Sequence, residues 1–311
     1  MAYVSVRGVD HYIEWVSDRP SVSHSPTASP TDGPSTANVL TQPNPGKPVM
    51  VFIHGWGGSC RYWRRTAQQM TDRYDCLLYD LRGFGRSHLP QPIPTSVAAL
   101  GYELEGYADD LEQLLTTLGI AKICLNAHSA GASIAVLFLQ RYPHRTNQAI
   151  LTCHGIFDYN AVTFKLFHFV GQYVVAFRPP WFAQIPLADR MFVARFLHRP
   201  IPSQDRKEFL EDFLMADYEA ALGTLYTSVS QWAAETMPEA YRVIKTPTLL
   251  ISGEYDQIIP ARLGQKAAVL SSSVQHVVLP QTGHFPMLED NDTYQATVNR
   301  FLQETSLSSV A

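Results

Sequence analysis

Three side chains that can cooperate in nucleophilic chemistry follow, one by one, stretches that read as buried strands: Ser129, Asp256 and His284. A serine hydroxyl attacks well only when a sharp turn presents it to a base and a helix N-terminus can stabilise the oxyanion that forms. The segment Ile123-Cys-Leu-Asn-Ala-His-Ser-Ala-Gly-Ala132 reads as such a strand, breaking at Ser129, with Ala127 two residues before it and Gly131 two after. This is close to the strand–turn–helix pattern G-x-S-x-G, with alanine in place of the first glycine. Small residues at both positions let strand and helix approach closely. Alone, the match also fits a serine that merely caps a core helix.

The flanking elements must hold these groups at one edge of a sheet. Tyr3 to Trp15 alternates apolar and polar residues around a turn at Gly8 to Asp10, which predicts an antiparallel hairpin at the sheet edge. Pro48-Val-Met-Val-Phe-Ile53 is a continuous apolar run, as a parallel strand buried on both faces requires. Helix-compatible residues follow from about Tyr62 to Arg73, then a short strand Asp75–Tyr79 and the turn Asp80–Ser87. Asp80, Arg82, Gly83 and Gly85 are expected to stabilise that turn. Leucines at 111, 114, 115 and 118 give Tyr107–Leu118 helical spacing, ended by Gly119. Ala130–Arg141 reads as an apolar helix and Gln148–Cys153 as a further strand. After a long helical, aromatic stretch come a strand from Thr246 towards Asp256, a helix Ala261–Leu270, a strand Gln275–Leu279 and a final helix to about Glu304. Alternating strands and helices predict an α/β fold, a mostly parallel doubly wound sheet. Residues 1–156 and 244–311 form its two parts, and 157–243 an inserted helical cap. Residues 19–47, rich in Pro, Ser and Thr, are expected to be a disordered loop.

Composition excludes several functions. A chain of 311 residues, 46% hydrophobic and 17% charged, can bury a large core. A net charge of -4 gives no reason to expect nucleic acid as a partner. Cysteines 60, 76, 124 and 153 form no C-x-x-C pair, so neither a metal site nor a disulfide framework is expected, and a reducing, cytoplasmic location is. No stretch approaches the ~18 apolar residues needed to span a bilayer, and the N-terminus lacks the pattern of a secretory signal.

In an open parallel sheet, functional groups gather beyond the carboxyl ends of the strands, in the chain order Ser, Asp, His for one widespread hydrolase arrangement. Jointly, His54-Gly-Trp-Gly-Gly58, Asp80-Leu-Arg-Gly-Phe-Gly-Arg-Ser87, Ala127-His-Ser-Ala-Gly131, Gly253-Glu-Tyr-Asp-Gln-Ile-Ile-Pro260 and Gly283-His-Phe-Pro-Met-Leu-Glu289 resemble the α/β-hydrolase superfamily over nearly the whole chain. That resemblance implies a serine hydrolase with a Ser129–Asp256–His284 triad, His284 as base and Asp256 as the acid that fixes its tautomer. Asp158, after the strand ending at Cys153, and Glu254 are rival acids. The resemblance also implies an oxyanion hole from the backbone N–H groups of Trp56 and Ala130. His54 and His128 sit where turns must be fixed, and His128, with Trp56 and Phe157, is expected at the substrate. No cofactor is implied.

Serine at the elbow points to acyl chemistry, whereas aspartate there would suggest an epoxide hydrolase or dehalogenase. The leading expectation is hydrolysis of a carboxylic ester or related acyl bond on a hydrophobic small molecule. C–C bond hydrolysis, thioester or amide hydrolysis and acyl transfer use the same groups and stay open, as does a non-catalytic binding protein on this fold. The aromatic, net basic segment Ala161–Pro200 adds the expectation of a peripheral membrane contact through the cap.

Overall fold

A computed structural model describes residues 2–18 and 46–308. The Pro/Ser/Thr-rich stretch expected to be disordered therefore lies, from 19 to 45, outside the described residues. Eight strands form one sheet: β1 (Ala2–Val6), β2 (Val9–Val16), β3 (Val49–Ile53), β4 (Asp75–Tyr79), β5 (Ile123–His128), β6 (Thr146–Thr152), β7 (Thr248–Gly253) and β8 (Val274–Leu279). Their spatial order is β1-β2-β4-β3-β5-β6-β7-β8. The β1–β2 and β2–β4 pairs are antiparallel, and all the others are parallel.

The edge hairpin turns one residue earlier than the spacing predicts. Arg7 and Gly8, with φ of 50° and 88°, form the two-residue turn, because Val9 is buried and pairs with Val6 inside the ladder. Positive φ at both turn residues matches the right-handed twist of the flanking strands. In the sheet centre, β3, β4, β5 and β7 are buried at every position. Side chains alternate between the two faces: Val51 and Ile53 join one cluster with Leu111 and Leu137, while Met50 and Phe52 join another with Trp63, Tyr294 and Phe301. Helices on both faces explain why these strands read as continuous apolar runs.

The helix Leu104–Thr117 buries Leu111, Leu114 and Leu115 as its spacing predicts, and starts a turn earlier than expected. Residues 62–73 do not form one helix; a 3-10 turn at Cys60–Trp63 leads into the short helix Arg64–Gln68. Between β6 and β7 stand the helices Ala161–Ala176, Ala188–Val193, Ser203–Met215, Tyr218–Ser228 and Gln231–Val243. The last of these sends Met237, Ala240 and Tyr241 into the core cluster that also holds Ala130–Arg141, so it belongs to the packing of the sheet body. The others sit over the carboxyl ends of the strands. Asp212 fastens them there: its carboxylate accepts from Ser59 Oγ at 2.7 Å and pairs with the Arg61 guanidinium.

Candidate active site

The turn after β5 places Ser129 at φ 52° and ψ −123°, outside the regions an ordinary side chain prefers. Such strain persists only where surrounding structure over-determines it. Here the Ser129 N–H donates to Thr152 O of β6 at 2.9 Å, and the Ser129 carbonyl accepts from Ala132 N as the helix Ala130–Arg141 begins. Gly131 makes the turn fit: a Cβ there would stand 2.3 Å from the His54 carbonyl oxygen and 2.9 Å from Ile53. The alanine at 127 costs nothing comparable, since it lies inside β5 and is buried as strand core.

Beyond β8, His284 meets this serine. Ser129 Oγ lies 3.0 Å from His284 Nε2, and His284 Nδ1 lies 2.7 Å from Asp256 Oδ2. The other carboxylate oxygen of Asp256, past the end of β7, accepts from the N–H groups of Ile258 and Ile259 at 2.8 and 3.0 Å. With a carboxylate on Nδ1, that nitrogen carries the proton and Nε2 is left to accept from the serine. The chain Ser–His–Asp can therefore take the hydroxyl proton as the oxygen attacks, and stabilise the resulting imidazolium. The rival acids are elsewhere. Asp158 is exposed and pairs with Lys266, and Glu254 accepts from Gln281 N at 2.8 Å.

His128, expected at the substrate, stands instead behind His284. It is buried, its Nε2 donates to the His284 carbonyl oxygen at 2.7 Å, and its Nδ1 accepts from the Tyr62 hydroxyl at 3.1 Å. Burial, reinforced by the neighbouring His284, holds its pKa well below the usual histidine value, so it is neutral. With both nitrogens committed, it positions the loop and has no atom to offer a ligand. His54 is likewise internal: Nδ1 donates to Gly55 O at 2.8 Å, Nε2 accepts from Leu81 N at 2.9 Å, and burial lowers its pKa.

Two supporting groups escape sequence reasoning. Tyr62 accepts the Gly55 N–H at 2.5 Å while donating to His128, and so ties the turn after β3 to the loop of His284. Glu289 accepts from four backbone N–H groups, those of Gly283, Phe285, His198 and Arg199, with Gly283 reaching both of its oxygens, at distances from 2.7 to 3.2 Å. It thereby joins the His284 loop to the inserted segment, where the His284 N–H also donates to Phe196 O at 2.7 Å. A glutamate five residues after the histidine, inside an apolar stretch, is the only signal the sequence held for it.

Trp56 and Ala130 flank the serine from two sides. Ala130 opens the elbow helix, so its N–H is among the first of the helix, which have no partner within the helix itself. Trp56 follows Gly55, whose Cβ position would lie 3.1 Å from the Ser129 Cβ. The Trp56 indole donates to Ala221 O at 2.9 Å and packs on Phe213, at 5.8 Å between ring centres. Phe157 is half-buried in the loop after β6. Asp80 anchors the turn beyond β4: burial alone would raise its pKa, but Arg86, which binds both its oxygens, holds it below the usual value. Among the described residues, His128, Cys153 and His284 bring ligand-type atoms within 4.8 Å of one another. The nitrogens of both histidines are already engaged, and burial pushes the Cys153 thiol well up, so this group fits structural packing better than a metal.

Over residues 48–291 the chain matches the family described as alpha/beta hydrolase fold, and it belongs to that family. Human epoxide hydrolase 4 is 22% identical over 273 residues, covering 83% of this chain and 73% of that protein. An uncharacterised Mycobacterium tuberculosis protein is 25% identical over 270 residues, covering 83% and 76%. An esterase from Exiguobacterium antarcticum shares the fold with a TM-score of 0.74 at 16% identity, over 97% of this chain and 98% of that one.

Proposed function

We propose that the protein is a serine hydrolase that cleaves a carboxylic ester or related acyl bond of a hydrophobic substrate. The observation that carries this reading is the hydrogen-bonded run from Asp256 through His284 to a Ser129 held in a strained turn at a helix N-terminus. In the proposed reaction His284 takes the Ser129 proton while Oγ attacks the acyl carbon. The N–H groups of Ala130 and Trp56 stabilise the oxyanion, and Asp256 balances the imidazolium. His284 then protonates the leaving alkoxide, and an acyl group remains on Ser129. Water, deprotonated by His284, attacks that ester; the bond to Ser129 Oγ breaks, His284 returns the proton to Oγ, and the carboxylic acid is released.

Serine at the elbow favours this course over epoxide opening, the chemistry named in the human relative, because an acyl ester on serine has a carbonyl for water to attack. The helices inserted between β6 and β7 serve as a cap whose aromatic underside receives apolar substrate. Phe196 lies 6.1 Å from His284 between ring centres, and Phe213 packs on Trp56, so apolar surface reaches both the base and the oxyanion turn. Four buried free thiols fit a reducing, cytoplasmic setting.

A fluorophosphonate probe tests the reading directly. The parent should be labelled at Ser129, located by peptide mass spectrometry, and a panel of p-nitrophenyl esters of increasing chain length should be turned over. An unlabelled serine in folded protein would leave the fold with a binding function only.

A further inference from the structure

The helix Ala161–Ala176 is mostly apolar, with Thr163, Lys165, His168 and Gln172 its only polar side chains, yet only Phe164, Gly171 and Val175 are buried. A helix of that composition normally lies inside a protein or against lipid. Here it turns Val162, Leu166, Phe169 and Tyr173 outward, and Phe177 and Met191 beyond it are exposed as well; Val162 is 78% exposed and Met191 77%. A contiguous apolar surface of this kind on a soluble fold marks an interaction site.

The charged residues of the segment 159–188 are both basic, Lys165 and Arg178. Between Tyr159 and Ala188 there is no Asp or Glu. Lys165, Arg190 and Arg195 are exposed and form no ion pair among the described residues. The acids flanking the segment pair with cations, Asp158 with Lys266 and Asp189 with Arg206, although Arg190 also lies close enough to help lower the Asp189 pKa. Arg178 is used internally, donating to the carbonyls of Val175, Phe213 and Ala216.

We infer that this face docks on an anionic lipid surface, with the helix lying in the headgroup plane, its apolar side towards the acyl chains and the three cations at the phosphates. Apolar bulk and basic residues without acids are what such a surface recognises. Within the face lies an open groove of about 420 Å³, lined by Phe169, Tyr173, Phe177, Phe182, Phe192 and Phe213. Its lining reaches the site through ring contacts: Phe213 packs on Trp56, and Phe192 lies 6.1 Å from Phe196, which in turn lies 6.1 Å from His284. A lipid acyl chain entering the groove from the bilayer would thus be led towards Ser129. That delivery rests on the acyl-hydrolase reading, whereas the docking does not.

The full-length protein is floated with vesicles of phosphatidylglycerol and phosphatidylcholine, and with phosphatidylcholine alone, at low and high salt. It should rise with the anionic vesicles at low salt, sink at high salt, and stay down with the zwitterionic ones. Lys165→Gln combined with Arg190→Gln should weaken partitioning ~30-fold, from the contribution of each cation near such a surface. Leu166→Glu should abolish it. Thermal melting shows that each variant is folded, and Ser129→Ala should float like the parent, so loss of catalysis and loss of docking are read separately. No flotation with anionic vesicles overturns the inference, as does unchanged binding by the doubly neutralised variant. A dimer by light scattering that Leu166→Glu dissociates overturns it too, and assigns the face to a second copy of the chain.

Discussion

The carboxyl ends of β5, β7 and β8 and the outer face of the helix Ala161–Ala176 are built on opposite plans. At the strand ends nearly every polar atom is fixed: Asp256 has three donors, His284 is held on both ring nitrogens and on its backbone, and Glu289 binds the loop from below. On the outer face of the inserted helix and just past its end, large apolar side chains touch mainly one another and stay exposed, Phe177 with 65% of its surface. The difference teaches where each region gets its precision. Chemistry needs atoms held to a few tenths of an ångström, which only a hydrogen-bonded network on a rigid sheet supplies. Contact with a fluid partner needs area and sign of charge, and leaves side chains free to adapt.

The sharpest way to break that comparison is at the strand ends. Ser129→Ala or His284→Ala should each lower kcat/KM on a soluble ester by as much as ~10⁶-fold, and the double variant should lose little more, because the two residues act as one unit. Losses that add would separate them. Asp256→Asn should cost ~10⁴-fold through the wrong histidine tautomer. Asp158→Asn, at an exposed ion pair, should change turnover by less than a factor of about two. Steady-state kinetics that reversed this ranking would move the acid to the loop after β6.

A smaller effect probes the core beneath the site. His154 is buried, with Nδ1 2.7 Å from the Tyr241 hydroxyl and Nε2 2.9 Å from Ser133 Oγ, and burial lowers its pKa to about 4. Because the folded value lies below that of the unfolded chain, its contribution to stability is fully present above the ordinary value of 6.5 and is lost as pH falls through about 4. The loss should reach about 3 kcal/mol. Urea denaturation between pH 7 and 4 checks it, and His154→Phe, which keeps a ring stacked on Tyr241, should show a shallower acid slope than the parent. An unchanged slope would place the acid sensitivity with other buried histidines.

The smallest effect is expected on the inserted helix. Leu166→Glu should leave the thermal midpoint of the isolated protein within the change set by ~0.5 kcal/mol, because the side chain touches little in the fold. A large drop in the melting temperature would show that this surface packs against the chain, and would erase the contrast between the two regions.

Much of the sheet and of the candidate site was legible beforehand. The runs Val49–Ile53 and Thr248–Gly253 are continuously apolar because helices cover both faces, and that burial is written in composition alone. The helix Ala130–Arg141 begins and ends as read, since the strained serine and Pro143 bound it. The segment 62–73 misled because its residues suit a helix while the Asp80 carboxylate, distant in sequence, accepts from Cys60 N and fixes a tighter turn at its start. The same kind of long-range contact hid the parts played by Tyr62, His128 and Glu289.

By itself, then, the sequence determined which residues must be buried, the alternation of strand and helix, and which side chains stand at strand ends, because periodicity and turn chemistry are local properties of the chain. Tertiary structure alone decided which of several carboxylates faces His284, that His128 lies behind it, and that the aromatic stripe of Ala161–Ala176 points away from the body. Those outcomes depend on contacts between residues far apart along the chain, 28 positions for Asp256 with His284 and more than a hundred for His128 and Ser129 with His284, and no local pattern encodes such distances.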